Sequence, residues 1–182
     1  MKKFLFAAAF TLLAAPAFSQ KFMTRTGKIT FFSSTPIENI EAVNNDVSSV
    51  MDAKTGELVF MVPIKSFRFQ NATMQGHFNE SYMESDKFPR ADFRGKIVNL
   101  NEVNLSKDGT YNTKVAGKMT IHGVTRDISA PGTITVKGGK VTATSKFNVR
   151  TADYGIKIPA MTAKKIAESI EVTVNSILSP AS

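Results

Sequence analysis

The stretch Tyr111-Asn112-Thr113-Lys114-Val115-Ala116-Gly117-Lys118-Met119-Thr120-Ile121 decides the fold class. Its odd positions carry Tyr, Thr, Val, Gly, Met and Ile; its even positions carry Asn, Lys, Ala, Lys and Thr. Successive side chains of an extended chain point to opposite sides, so this period of two reads as a strand with one buried and one wet face. The pattern recurs on both sides of it. Ile128, Ala130, Ile134 and Val136 alternate with Asp127, Ser129, Thr133 and Thr135. Val141, Ala143, Phe147 and Val149 alternate with Lys140, Thr142, Thr144 and Lys146. Ala91, Phe93, Gly95 and Ile97 do so earlier, and Ile170, Val172 and Val174 later.

Between these runs stand Thr55-Gly56, Asp108-Gly109, His122-Gly123 and Gly138-Gly139, each offering a residue that tolerates positive φ. Strands at hairpin spacing without crossover helices form an antiparallel sheet. Two stretches read as short helices: Gln75 to Ser85, and Thr162 to Glu168 with Thr162 as N-cap. One strand changes parity, with Leu58, Phe60, Val62 and Ile64 on even positions but Phe67 and Phe69 on odd ones. An extra residue flips every later side chain, so a bulge or bend is expected near Lys65-Ser66, where Pro63 also fits an irregular site. Long strands with bends and one apolar face close into a barrel or two packed sheets. A barrel of about eight strands has room for side chains or one ligand. The fold class is therefore all-β, an antiparallel barrel with one or two short helices. Residues 20–182 read as one domain, without repeat or linker.

The N-terminus reads differently. Met1-Lys2-Lys3 precedes the apolar run Phe4 to Ala15, Pro16 breaks it, and Ala17-Phe18-Ser19 offers small residues ahead of a cut before Gln20. This is the pattern of a secretory signal peptide over residues 1–19, with Ala15-Pro16-Ala17 as a competing cut site, and it predicts a periplasmic or secreted protein. The apolar run is well short of the ~20 residues that span a bilayer. The chain has 23 Lys+Arg and 15 Asp+Glu; without Lys2 and Lys3, 21 basic side chains remain, for a net charge of +6. Lys164-Lys165 is the one basic pair after the leader, and no aromatic-and-basic or helix-turn-helix motif appears. A nucleic-acid partner is not expected; a transient contact with anionic membrane surfaces stays open. Oligomeric state is not legible, a dimer included.

Most enzyme chemistry is closed off. The chain has no cysteine, which removes disulfides, thiolate metal sites and a cysteine nucleophile, and only two histidines, His77 and His122. There is no G-x-S-x-G elbow, H-E-x-x-H or Gly-rich phosphate loop. Glu80 and Glu84 lie four apart on the expected helix and read as its wet face rather than as a catalytic pair. His77 reads as a brace of that helix, with a hydrogen bond to a ligand headgroup as the functional alternative. His122 shares the polar parity of Lys114 and Lys118 and is expected to face solvent at a turn. The reading is a non-enzyme that needs neither cofactor nor metal.

Phe67, Phe69, Met74, Phe78, Tyr82, Met83 and Phe93 combine aromatic rings with flexible thioethers. This suits a pocket for a flexible hydrocarbon, or a plain core. Phe67 to Ala91 reads F-R-F-Q-N-A-T-M-Q-G-H-F-N-E-S-Y-M-E-S-D-K-F-P-R-A, followed by Asp92 and then Phe93-Arg94-Gly95. Gly117 to Thr125 reads G-K-M-T-I-H-G-V-T, and a late element runs from Phe147 to Asp153-Tyr154-Gly155-Ile156. In this order the three elements resemble the signature of the YceI-like family. The resemblance implies a lipocalin-like antiparallel barrel, exported to the periplasm, whose interior holds a polyisoprenoid or similar amphiphile. The candidate ligand contacts are then Phe67, Phe69, Met74, His77, Phe78, Tyr82, Met83, Phe93, Met119 and Phe147. The partner is a hydrophobic small molecule: isoprenoid, quinone or fatty acid. Between Arg25 and Asn45 the chain departs from the family's usual opening, so shorter or rearranged first strands are expected there. The competing reading is a ligand-free envelope barrel in which Phe67, Phe78, Met119 and Phe147 fill the core and loops such as Lys87 to Arg90 bind a partner.

Overall fold

A computed structural model describes residues 21–181; the leader assigned to residues 1–19 lies outside them. The strands are β1 (Lys21–Ser34), β2 (Asn39–Asp52), β3 (Glu57–Pro63), β4 (Arg68–Phe69), β5 (Arg90–Ile97), β6 (Gly109–Ile121), β7 (Val124–Lys137), β8 (Lys140–Arg150) and β9 (Ser169–Pro180). Neighbours run β1-β9-β8-β7-β6-β5-β3-β2, all antiparallel, and β2 pairs back onto β1 to close the ring. β4 pairs with β2 beyond β3, through Ala42↔Phe69 and Val43↔Arg68, so β3 and β4 share one stave of an eight-strand barrel.

The alternating runs all become strands with the apolar set inside. Ile134, Val136, Val141, Ala143, Val149 and Val174 are buried while Lys114, Lys118, Lys137 and Lys146 are exposed. The parity change is a one-turn 3₁₀ helix, Ile64–Ser66, following Pro63. Ile64 at its start and Phe67 just after it are both buried, although one occupies an even and the other an odd position, as an inserted residue requires. His122-Gly123 and Gly138-Gly139 are two-residue hairpin turns with positive φ at both positions, and Gly56 has φ 73°. Asp108-Gly109 works differently, since Gly109 is not at positive φ. Instead the Asp108 carboxylate accepts from the Gly138 N–H at 3.1 Å, tying the start of β6 to the β7–β8 turn.

Three expectations need correcting. The first strands are neither short nor rearranged: β1 and β2 have 14 residues each and pair along most of their length. Register shifts at Thr24/Gly27 and Gly27/Ile29 break their alternation, and that concealed them. The first helix begins at Ala72, because the Asn71 side chain accepts from the N–H groups of Thr73 (2.8 Å) and Met74 (3.3 Å). This helix, α1 (Ala72–His77), runs into a π turn at Phe78–Tyr82, and Glu84 at φ 43° turns the chain away. The second helix does not form. Thr162 folds back, its N–H and hydroxyl both donating to the Pro159 carbonyl at 2.9 and 3.1 Å, and residues 160–165 make successive turns.

Gly95 and Gly117 face each other across β5 and β6 on the inward side. A Cβ on Gly117 would overlap the backbone of Arg94 and Gly95, and one on Gly95 would meet the Phe93 ring and the Ala116 carbonyl. The two glycines let the strands approach closely while the Phe93 ring lies over them. Gly117→Ala is expected to cost about 1–3 kcal/mol, because the obstacle is backbone and cannot swing aside. Chemical denaturation, read as a lowered midpoint at constant slope, measures it.

Candidate ligand-binding cavity

The barrel is filled at one end and hollow at the other. At the filled end Met51, Val136, Val141 and Leu178 pack into a floor with almost no exposed surface, and Leu100, Val103 and Leu105 of the loop after β5 close it from below. Above the floor lies a cavity of about 560 Å³, within the usual size of small-molecule sites. Its wall is almost wholly apolar, from Leu58 and Ile134 in its depth to Ile156, Ile158 and Ile166 near its mouth.

All ten sequence-predicted contacts border this one cavity. Four rings form a connected cluster under α1: Phe31, Phe67, Phe69 and Phe78, with centroids 5.0–5.6 Å apart. The Phe31–Phe78 pair is stacked and the other contacts are tilted or edge-on, which fixes the rings in place and leaves a hard aromatic rim. Phe93 lies deeper, opposite its cross-strand partner Phe60 at 6.4 Å. Met119 and Phe147 belong to the wall near Tyr154. His77 is exposed at the lip, in the last turn of α1. The Tyr82 hydroxyl donates to Thr162 Oγ1 at 3.2 Å, which joins the helical segment to the 156–166 crossing. Sequence reasoning missed Phe31 and Phe60. Phe60 alternates correctly and could have been chosen; Phe31 sits beside Phe32 in the strand whose bulges hide its periodicity.

One seam of the barrel wall is not a ladder. β7 and β8 pair from Lys137/Lys140 only as far as Gly132/Ser145; beyond that β7 pairs with β6 alone and β8 with β9 alone. Pro131, which has no N–H to donate, is the first β7 residue past the fork, and its carbonyl accepts from Ser145 Oγ at 2.6 Å. The gap is plugged by Tyr154 and Ile156 packing on Met119, Val149, Val124 and Phe147. Arg126 Nε holds the plug by donating to the Asp153 carbonyl at 2.9 Å.

His122 supports the same plug, which corrects its expected solvent exposure. Its side chain is 11% exposed, with Nε2 2.8 Å from the Glu84 carboxylate and Nδ1 3.3 Å from the Tyr154 carbonyl. The two contacts tie the β6–β7 turn to the chain after the π turn and to the plug. The Phe88 ring packs edge-on at 4.5 Å. Glu84 is thus spoken for by His122 and is not the partner of Glu80 on a helix face. Among the described residues no group of three or more His, Asp or Glu is placed to hold a metal ion.

An antiparallel barrel with a closed floor and an apolar hollow opening at its other end defines the class: a small extended barrel with an interior cavity. More narrowly, the chain belongs to the YceI-like family, whose domain model matches residues 16–177. Similar solved structures include a polyisoprenoid-binding domain from Saccharophagus degradans implicated in plant cell wall breakdown. That match has 13% identity and TM-score 0.77, over 89% of this chain and 99% of that one. BcnA of Burkholderia cenocepacia matches at 15% identity and TM-score 0.69, over 84% of this chain and 96% of that one. A Campylobacter jejuni YceI protein covers 97% of both chains at 15% identity and TM-score 0.57. At these identities the likeness is one of fold. No curated protein sequence matches the chain.

Burial holds the Tyr154 hydroxyl above the usual tyrosine range, with Asp153 adding to the shift and Arg126 opposing it. Below the unfolded-state value near ~10, both states are neutral and the group contributes nothing to the pH dependence. Above it the unfolded chain ionises first, so unfolding is favoured as pH rises. Denaturation midpoints taken through this alkaline range should fall more steeply for the wild type than for Tyr154→Phe; parallel curves would contradict the assignment.

Proposed function

We propose that this protein is an exported, non-catalytic carrier or store that holds one long apolar molecule inside the barrel. The cargo class is a polyisoprenoid, a quinone or another single-chain lipid. The observation that carries the reading is the 560 Å³ apolar hollow above a side-chain floor, since a barrel selected only for stability would pack this space with side chains. The Saccharophagus relative's polyisoprenoid-binding domain supports the chemical class. The residue 1–19 pattern supports export to the periplasm.

The binding step is solvent exclusion. Covering ~400 Å² of hydrocarbon supplies roughly 10 kcal/mol of gross driving force at ~25 cal/mol per Å². Ordering the flexible chain and losing its translational freedom offset much of this, leaving an affinity on the order of micromolar. The aromatic rim under α1 and the deeper Phe60–Phe93 pair provide rigid contact surface, and Met74, Met83 and Met119 adapt to the kinks of the chain. His77, Tyr82 and Thr162 stand where a polar headgroup would emerge.

Organic extraction and mass spectrometry of protein purified from its native source, with native mass of the intact complex, test the reading. A stoichiometric long-chain lipid is expected. An empty barrel that also refuses added isoprenoids and fatty acids would overturn it in favour of a protein-binding barrel. In the same assay Phe93→Asp should abolish loading while circular dichroism stays that of a folded barrel, whereas Phe93→Leu should load. Full loading of a folded Phe93→Asp protein would remove Phe93 from the binding surface.

A further inference from the structure

The lip of the cavity is built from two turns, and each holds an apolar side chain out into water. In the first, the Thr35 hydroxyl accepts from the N–H groups of Ile37 (3.3 Å) and Glu38 (3.0 Å), and the Thr35 N–H donates to the Glu38 carbonyl at 3.1 Å. Ile37, next to Pro36, sits at the third position of this turn and is 59% exposed. In the second, Thr162 closes onto Pro159, and Met161 occupies the same third position, 94% exposed. The two turns are neighbours: Lys165 pairs with Glu38 at 3.8 Å, and the Ala167 N–H donates to Ser33 Oγ at 2.9 Å. The other strongly exposed apolar side chains lie elsewhere, with Val50, Met61 and Ile177 on the barrel wall and Val98 at the closed end.

Positive charge flanks the second tip along the chain. Lys157 and Lys164 are exposed and, among the described residues, make no ion pair, and Lys165 pairs with Glu38, the acidic residue of the first turn. Between Ile156 and Ile166 the chain carries Lys157, Lys164 and Lys165 and no acidic side chain. Ile156, Ile158, Thr162 and Ile166 of this segment line the cavity, while Met161, Lys157 and Lys164 do not. One short segment thus faces the hollow with one set of residues and solvent with an apolar tip among cations. Braced turns present the tips in a fixed geometry, and protruding apolar groups flanked by cations are complementary to one surface in particular: anionic headgroups over hydrocarbon. Among the described residues no helix is long and apolar enough to cross a membrane.

We infer that the open end of the barrel is a docking surface for an anionic lipid bilayer. Ile37 and Met161 enter the acyl boundary while Lys157 and Lys164 meet the headgroups, which sets the cavity mouth against the membrane. The purpose of the contact, transfer of cargo between bilayer and barrel, rests on the carrier reading; the contact itself does not.

Flotation with phosphatidylcholine vesicles, with and without phosphatidylglycerol, tests it on the mature chain. Binding is expected to the anionic vesicles and to weaken sharply as salt is raised. Lys164→Glu should lower vesicle affinity about fivefold or more, following the ~1 kcal/mol attributed to each cation near such a surface. Met161→Asp and Ile37→Asp should each lower it as well. Uptake of a fluorescent fatty-acid analogue in vesicle-free solution should be unchanged in all three, because none of these side chains lines the cavity. No vesicle binding by a wild-type protein that takes up the analogue would overturn the docking and leave the carrier reading intact. Vesicle binding that all three variants retain would overturn the assignment of this surface. Vesicle binding by a barrel that takes up nothing would support the docking while the carrier reading fails.

Discussion

Everything in this molecule depends on β1 pairing with β2 on one side and β9 on the other. Each strand is apolar on one face only, and a sheet with one apolar face is stable only when that face is hidden. The β1 ladders hide it by rolling the sheet onto itself, which also removes the exposed edges that an open sheet of this length would carry. Closure is not uniform. The register shifts in β1 around Gly27 put the bend where the backbone can come close to Ser176 and Val47. The paired glycines of β5 and β6 do the same across the barrel. Interior volume then follows from where small residues sit and which inward side chains are large.

The two halves of the interior make that concrete. Below, Met51, Leu58, Ile97, Ile134, Val136, Val141 and Leu178 meet across the axis, and nothing is left to fill. Above, the rings of Phe31, Phe67, Phe69 and Phe78 pack against one another beneath α1 instead of reaching across, so the centre stays open. The fork between β7 and β8 widens this upper half further. A barrel wall normally seals itself by backbone ladders, but here the seal is made by Tyr154, Ile156 and the contacts of His122 and Arg126. Side-chain packing separates more easily than a hydrogen-bonded ladder, so the fork is the wall's least reinforced seam.

How much of this was legible depends on periodicity. Strands β5 to β9 were plain because inward and outward positions alternate without interruption, and two of their turns use residues at positive φ as the chemistry demands. β1 and β2 were hidden by the same physics: a bulge shifts parity, so Phe22 and Ile29 fall on the same face while occupying positions of opposite parity. The interruption at Lys65-Ser66 could be read because Pro63 and the flipped Phe pair point to one place. The helix at Thr162 failed because a threonine hydroxyl serves a preceding carbonyl as readily as a following N–H, and the local sequence does not distinguish the two. His122 failed because parity along a strand says nothing about a side chain at a turn, whose surroundings come from Glu84, Phe88 and Tyr154, far away in sequence.

The candidate site was more legible than the fold boundaries, and for a physical reason. Residues that line a hollow obey the same inward parity as residues that fill a core, so alternation plus a Phe- and Met-rich composition identifies both at once. What alternation cannot supply is the sum over facing side chains, which decides whether the centre is full. That sum requires the register of β6 against β5 and the placement of α1 over the rim, and both are long-range facts. The same limit applies at the lip. Pro36-Ile37 and Pro159-Ala160-Met161 look like ordinary loop sequence, and become a shared apolar and cationic tip only because Lys165 reaches Glu38 and Ala167 reaches Ser33. A surface assembled by two distant turns leaves no periodic trace in either of them.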